Sequence, residues 1–180
     1  VIEKYNGKIH FILGMSMGGF ITIDLLSRFN IECDKAILDS GYLKPWTRFN
    51  AKIMSKLVSW GFRKLIKGKS NLIIEKTMQT SMGYCFKKED LCLDATKVTL
   101  KNSEYSCLTY QLPELSKLGN MSVEYWYGKK DKNMIEGMKE LKKQLPNMKE
   151  ICFGDYGHGE FMFEHSEEYA DMVIKSVKNC

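Results

Sequence analysis

The sequence predicts an α/β protein: a parallel sheet layered with helices and interrupted once by a helical insertion. Three observations carry that expectation. An apolar run at 9–13 breaks into small residues around Ser16 and passes directly into a helical pattern. Further strand-like stretches at 34–41, 121–128 and 150–154 are separated by helix-period segments, and strands joined through helices imply parallel crossover units. From Lys44 to about Leu118 strand character disappears.

In chain order, 2–5 reads as the tail of a helix closed by Asn6-Gly7, a pair that tolerates the left-handed conformation found at helix ends. The strand at 9–13 follows. Gly14-Met15-Ser16-Met17-Gly18 then fits G-x-S-x-G, a pattern that gains meaning when a strand precedes the serine and a helix follows it. Both are predicted here, because Phe20, Ile21, Ile23, Leu25 and Leu26 crowd one side of a helix ending near Phe29-Asn30. At the tip of such a turn the Ser16 hydroxyl is pushed out beyond the strand's carboxyl end, and the glycines avoid a collision with neighbouring backbone. The competing reading is a serine that merely caps the helix.

After the second strand, at 34–41, the insertion begins. Pro45 suits a first helical turn, and Trp46, Phe49, Ile53, Leu57 and Trp60 recur at three- and four-residue steps as the packed side of an amphipathic helix. Lys44, Arg48, Lys52 and Lys56 repeat every four residues on the side expected to face away, continued by Arg63, Lys64, Lys67 and Lys69, with no Asp or Glu between 44 and 69. Such a stripe is either a solvated face or a surface for anionic lipid or an acidic partner. Further helical pieces are expected around 71–81, 88–100 and 103–112, with Leu112-Pro113 closing the region.

Sheet character returns at 121–128, followed by the loop Lys129-Lys130-Asp131 and a helix at 133–145 with Ile135, Met138 and Leu141 inward. A last strand at 150–154 runs into Asp155-Tyr156-Gly157-His158-Gly159. The C-terminal helix, 161–177, has Phe161, Tyr169, Met172, Val173 and Val177 on its packed side.

Composition narrows the classes. At 180 residues, 44% hydrophobic and 27% charged, the chain has the make-up of one globular domain. Its net charge of +5 is not interleaved with the aromatic and glycine patterns of nucleic-acid modules, so no nucleic-acid partner is expected. No apolar run approaches the roughly 20 residues that span a bilayer, and a secretory leader pattern is absent, which points to the cytoplasm. Cys33, Cys85, Cys92, Cys107, Cys152 and Cys180 form no C-x-x-C pair and are expected as reduced thiols, the first five packed inside and the last at a frayed end. His10, His158 and His165 show no metal-ligand spacing, so neither metal nor cofactor is expected. His10 reads as a packed core histidine and His165 as solvent-facing.

Ser16, Asp131 and His158 each lie just beyond the carboxyl end of a predicted strand, and in a parallel sheet those ends share the edge where α/β sheets bind ligands. With G-M-S-M-G-G at 14–19, Y-G-K-K-D at 127–131 and G-H-G at 157–159, the chain resembles the α/β-hydrolase superfamily from its nucleophile strand to its final helix. The G-x-S-M-G-G form is most similar to lid-bearing esterases and to lysophospholipase-like or monoglyceride-lipase-like members. The resemblance implies an α/β-hydrolase three-layer parallel sheet from 1–43 and 119–180, lacking the N-terminal strands, with a helical lid at 44–118. It also implies a serine hydrolase cleaving carboxylic esters, small or acyl-chain in type, without a cofactor. A serine hydroxyl needs a base to remove its proton as it attacks, and a carboxylate to orient that base. Ser16 would be the nucleophile, His158 the base and Asp131 the orienting acid, with the Met17 N–H donating to the oxyanion. Asp39 and Asp155 compete with Asp131. Peptidase, thioesterase and acyltransferase chemistry use the same residues, and a non-catalytic binding protein of the same fold is a second class.

The chain departs from the family at its front. Members place several strands before the serine strand, and a loop among them gives the second oxyanion N–H. Here the strand at 9–13 has one evident neighbour, at 36–39. Its other edge is expected to be covered by an upstream segment of roughly 70 to 90 residues, rather than by a second copy of the chain.

Overall fold

The computed structural model describes residues 7–178, with 30, 70, 88–89, 92–93 and 120 excepted. The helix tail expected at 2–5, together with Cys92 and Cys180, lies outside these residues.

Four parallel strands form one sheet in chain order: β1 (Lys8–Met15), β2 (Glu32–Asp39), β3 (Ser122–Tyr127) and β4 (Lys149–Cys152). Met15 stands opposite Asp39 and Asp39 opposite Trp126, so the carboxyl ends of the first three strands are level. Successive residues of a strand face opposite ways, and that alternation makes the layers. Phe11, Leu13, Ile37, Trp126 and Ile151 pack on one face beneath α6 (Glu160–Glu164) and α7 (Ser166–Lys178), through Phe161, Tyr169 and Met172. Ala36, Leu38, Val123 and Tyr125 pack on the other beneath α1 (Met17–Arg28) and α5 (Lys132–Gln144), through Phe20, Ile23, Leu26, Met138 and Leu141. The three-layer arrangement is the one expected from the sequence.

Among the described residues β1 pairs with β2 alone. His10 is therefore exposed near the amino end of an edge strand, its Nδ1 2.7 Å from Asp34 Oδ2, and is not the core histidine expected. A buried ion pair also went unforeseen. Lys35 Nζ lies 3.0 Å from Glu124 Oε1 and donates to the Ser176 carbonyl at 3.1 Å, while Glu124 accepts from Trp126 Nε1 at 2.9 Å and Ser176 Oγ at 3.3 Å. Each charge is compensated where it is buried, which burial requires, and the network pins α7 to the sheet.

Between β2 and β3 the chain forms α2 (Arg48–Ile66), α3 (Leu72–Met82), α4 (Lys97–Thr109) and a 3₁₀ turn at Ser116–Leu118. Thr47 caps α2 by accepting from the Asn50 N–H, so Pro45 and Lys44 precede the helix instead of opening it. Of the pieces expected at 88–100 and 103–112, of which 88–89 and 92–93 lie outside the described residues, the structure shows one helix, α4, with Thr96 as its cap.

The larger correction concerns which side of α2 is buried. Ala51, Ser55, Val58, Ser59, Gly61, Phe62 and Leu65 face inward, whereas Phe49 (72% exposed), Ile53 (46%), Leu57 (47%) and Trp60 (43%) face out. Ala51, Ser55, Ser59 and Gly61 are small and let α2 approach its neighbours closely, with Gly61 directly against Met78 of α3. Large side chains at those four positions would hold the helices apart. Val58, Phe62 and Leu65 join Ile74, Met78, Tyr84 and Phe86 in a cluster of their own, while Ala51 and Leu108 belong to the main core.

Two further expectations change. The C-terminal helix breaks at His165 into α6 and α7, and Ser176 is buried where Val177 is exposed. Cys33, Cys85 and Cys107 are half-buried, but Cys152 is exposed, and none of these four is in a disulfide. No helix among the described residues is long and apolar enough to cross a membrane.

Candidate active site

Ser16 leaves β1 with φ 51° and ψ −121°, a conformation that L residues seldom adopt and that needs support from its surroundings. The support is visible. Its N–H donates to the Asp39 carbonyl at 2.8 Å, continuing the strand pairing through the turn. A side chain at Gly14 would strike the Gly18 carbonyl, and one at Gly19 the backbone of Gly41. The Ser16 side chain makes no cap bond to α1, so the capping reading is set aside.

The hydroxyl is turned instead towards His158, with Oγ 2.8 Å from Nε2. On the far side of the imidazole, Nδ1 lies 2.6 Å from Asp131 Oδ2. Asp131 is almost fully buried and caps α5, its Oδ1 accepting from the Met134 N–H at 3.4 Å. One carboxylate oxygen is thus fixed by a helix and the other is left for the ring. His158 is held through its backbone as well, donating to the Met82 carbonyl at 2.8 Å, and its ring meets Phe86 at a centroid distance of 6.4 Å.

Burial by itself depresses the imidazole pKa. The hydrogen bond and charge of Asp131, aided by Asp39 and Glu104, outweigh it and raise the pKa above the ordinary value. The rival acids are engaged elsewhere. Asp39 is buried, accepts from Tyr169 Oη at 2.8 Å and Ser40 Oγ at 3.2 Å, and has its own pKa raised by burial. Asp155 is exposed. His165, expected to face solvent, is half-buried with Nε2 2.7 Å from Tyr156 Oη and its ring stacked on Phe161.

Ser16, Asp131 and His158 open onto a cavity of about 740 Å³, within the usual range for small-molecule sites. Its wall is largely apolar, including Phe20, Leu43, Trp46, Val58, Leu108 and Met134. Met17, the first residue of α1, also lines it, and a residue in that place has a backbone N–H with no acceptor inside the helix. Sequence reasoning missed an acidic lining residue. Glu104 of α4 faces the cavity, and burial pushes its carboxyl up to about 7, against a smaller opposing pull from His158. A signal existed: Glu104 is the sole acidic residue of α4, one helical turn from Leu108 on the inward face. Among the described residues no group of three His, Cys, Asp or Glu side chains could hold a metal ion.

No protein-family model and no curated protein matches the sequence. Solved structures do match the fold. An α/β-hydrolase family protein from Desulfitobacterium hafniense superposes over 98% of this chain and 72% of its own, with a TM-score of 0.76 at 15% identity. The chain has the α/β-hydrolase fold. An esterase from Exiguobacterium antarcticum shares it over 98% of this chain and 69% of its own (TM-score 0.71, 19% identity), and MenH from S. aureus over 99% and 71% (TM-score 0.63, 19% identity). In α/β-hydrolases the strand-to-helix turn carrying a serine is where the nucleophile stands, with the acid and then the histidine following in the chain. Ser16, Asp131 and His158 occur in that order.

Proposed function

We propose that this α/β-hydrolase-fold chain is a serine hydrolase that cleaves carboxylic esters through an acyl-enzyme on Ser16. The observation that carries the reading is the continuous relay from Ser16 Oγ through both ring nitrogens of His158 to Asp131, at 2.8 and 2.6 Å.

Neutral His158 takes the Ser16 proton on Nε2 as Oγ attacks the ester carbonyl carbon. Asp131 keeps the remaining ring proton on Nδ1 and stabilises the imidazolium without accepting the proton. The Met17 N–H donates to the oxyanion of the tetrahedral intermediate. Collapse expels the alcohol, which takes its proton from His158. Water, activated by the same imidazole, then frees the acid and restores Ser16.

The mainly apolar cavity favours acyl or small alkyl esters, with the helical segment 44–118 acting as the lid above them. Four cysteines outside any disulfide among the described residues suit a reducing, cytoplasmic setting. Peptide, thioester or acyl-transfer chemistry would use the same relay. Covalent labelling by a fluorophosphonate probe, lost in Ser16→Ala, tests the assignment. A protein that neither labels nor turns over short 4-nitrophenyl esters would instead be a non-catalytic binding protein of this fold.

A further inference from the structure

The exposed side of α2 departs from an ordinary solvated face. Phe49, Ile53, Leu57 and Trp60 form an outward apolar strip, and Leu72 (65% exposed) and Ile73 (69%) extend it at the start of α3. At 100° per residue Lys52 and Lys56 fall within about 100° of Ile53, so the basic stripe borders the apolar strip and does not oppose it. Arg48, Lys52, Lys56, Lys67 and Lys69 are exposed, and Lys64 Nζ stands 6.0 Å from the centre of the Trp60 ring. No acidic residue lies between 44 and 69 to offset them. Leu57, Ile73 and Lys76 are exposed and also line the cavity, so the face borders it.

We propose that this face docks on an anionic lipid bilayer, holding the cavity mouth at the membrane surface. Charge complementarity selects the occupant. Protein–protein interfaces are depleted of lysine, whereas lysines flanking an apolar strip that includes Trp and Phe suit the headgroup boundary, where ammonium groups meet lipid phosphates and the strip enters the acyl region. The inference deepens the ester-hydrolase reading, because an acyl-chain ester would then enter from the bilayer, but its test reads binding alone.

The Ser16→Ala chain is sedimented with vesicles of phosphatidylcholine, with and without one-third phosphatidylserine, at rising salt. Binding is expected only to the anionic vesicles and should fade as the ionic strength passes about 0.1 M, where the screening length is about 10 Å. Lys52→Gln with Lys56→Gln should weaken it roughly 30-fold, at about fivefold per lysine. Phe49→Ser with Ile53→Ser should weaken it on the order of tenfold while keeping the salt dependence. Neither pair lines the cavity, and unchanged circular dichroism would show that the variants fold. Equal binding to both vesicle types, or to neither, overturns the proposal. So does self-association abolished by Phe49→Ser with Ile53→Ser, which would make the face a contact between copies. Because hydrolysis is not measured, failure here leaves the Ser16 assignment standing, and failed fluorophosphonate labelling leaves this one standing.

Discussion

Ser16, Asp131 and His158 are each held by more than their own contacts within the relay, whereas α2 is held on one side only. At the sheet edge a backbone partner holds each of the three residues: the Asp39 carbonyl for Ser16, the start of α5 for Asp131 and the Met82 carbonyl for His158. In α2 four small residues share the inward contact with Val58, Phe62 and Leu65, while Phe49, Ile53, Leu57 and Trp60 are left outside. Strand ends in a parallel sheet are set by register, which tolerates little change. A helix can present any of its faces, and the partner surface decides which.

Six substitutions would sharpen or break that contrast. Ser16→Ala should lower ester turnover on the order of 10⁶-fold, by analogy with deletion of a serine nucleophile, and retention of a tenth of the activity in steady-state assays would overturn the assignment. Asp131→Asn should cost about 10⁴-fold in kcat by leaving His158 in the wrong tautomer. Asp39→Asn should cost far less activity, since its carboxylate serves Tyr169 and Ser40, and the reverse ranking would move the acid role to Asp39.

The two faces of α2 can be compared by denaturant unfolding. Phe62→Ala, on the buried face, should lose about 3–5 kcal/mol, while Phe49→Ala should stay within about 0.5 kcal/mol of wild type. Equal losses would mean that the strip is covered in the folded protein. The smallest effect concerns pH. In the proposed mechanism His158 is a base only when neutral, and its pKa is raised, so kcat/KM should fall with acid through a midpoint above the ordinary histidine value of 6.5. Ionised Glu104 favours the protonated imidazole, so Glu104→Gln should move that limb to lower pH. Movement to higher pH would show that Glu104 acts on the ring in another way.

The sheet was legible because apolar runs ending in Gly or Asp mark strand ends, and Ser16, Asp131 and His158, which the fold brings within hydrogen-bond distance, stand just beyond three of them. Asp131's second task as the cap of α5 was equally readable, since an Asp before a helical pattern is a capping signal. Glu104 and the Lys35–Glu124 pair were not identified, because a charged residue inside an amphipathic pattern is taken for surface unless its partner is known. The orientation of α2 misled for the opposite reason. Periodicity identifies a stripe of large apolar residues without saying what covers it, and Ala51, Ser55 and Ser59 score poorly as core although they allow the closest approach.

The hydrogen bond from the His158 N–H to the Met82 carbonyl joins the histidine loop to the end of α3. An outward swing of α3 that leaves the histidine loop in place breaks it, so in the proposed mechanism admission of a bulky substrate and alignment of His158 draw on the same free energy. The His158 amide then becomes a gauge. Its hydrogen-exchange protection measures how often the segment opens, and a ligand that wedges α3 outward should speed that exchange while the amides of β2 and β3 stay protected.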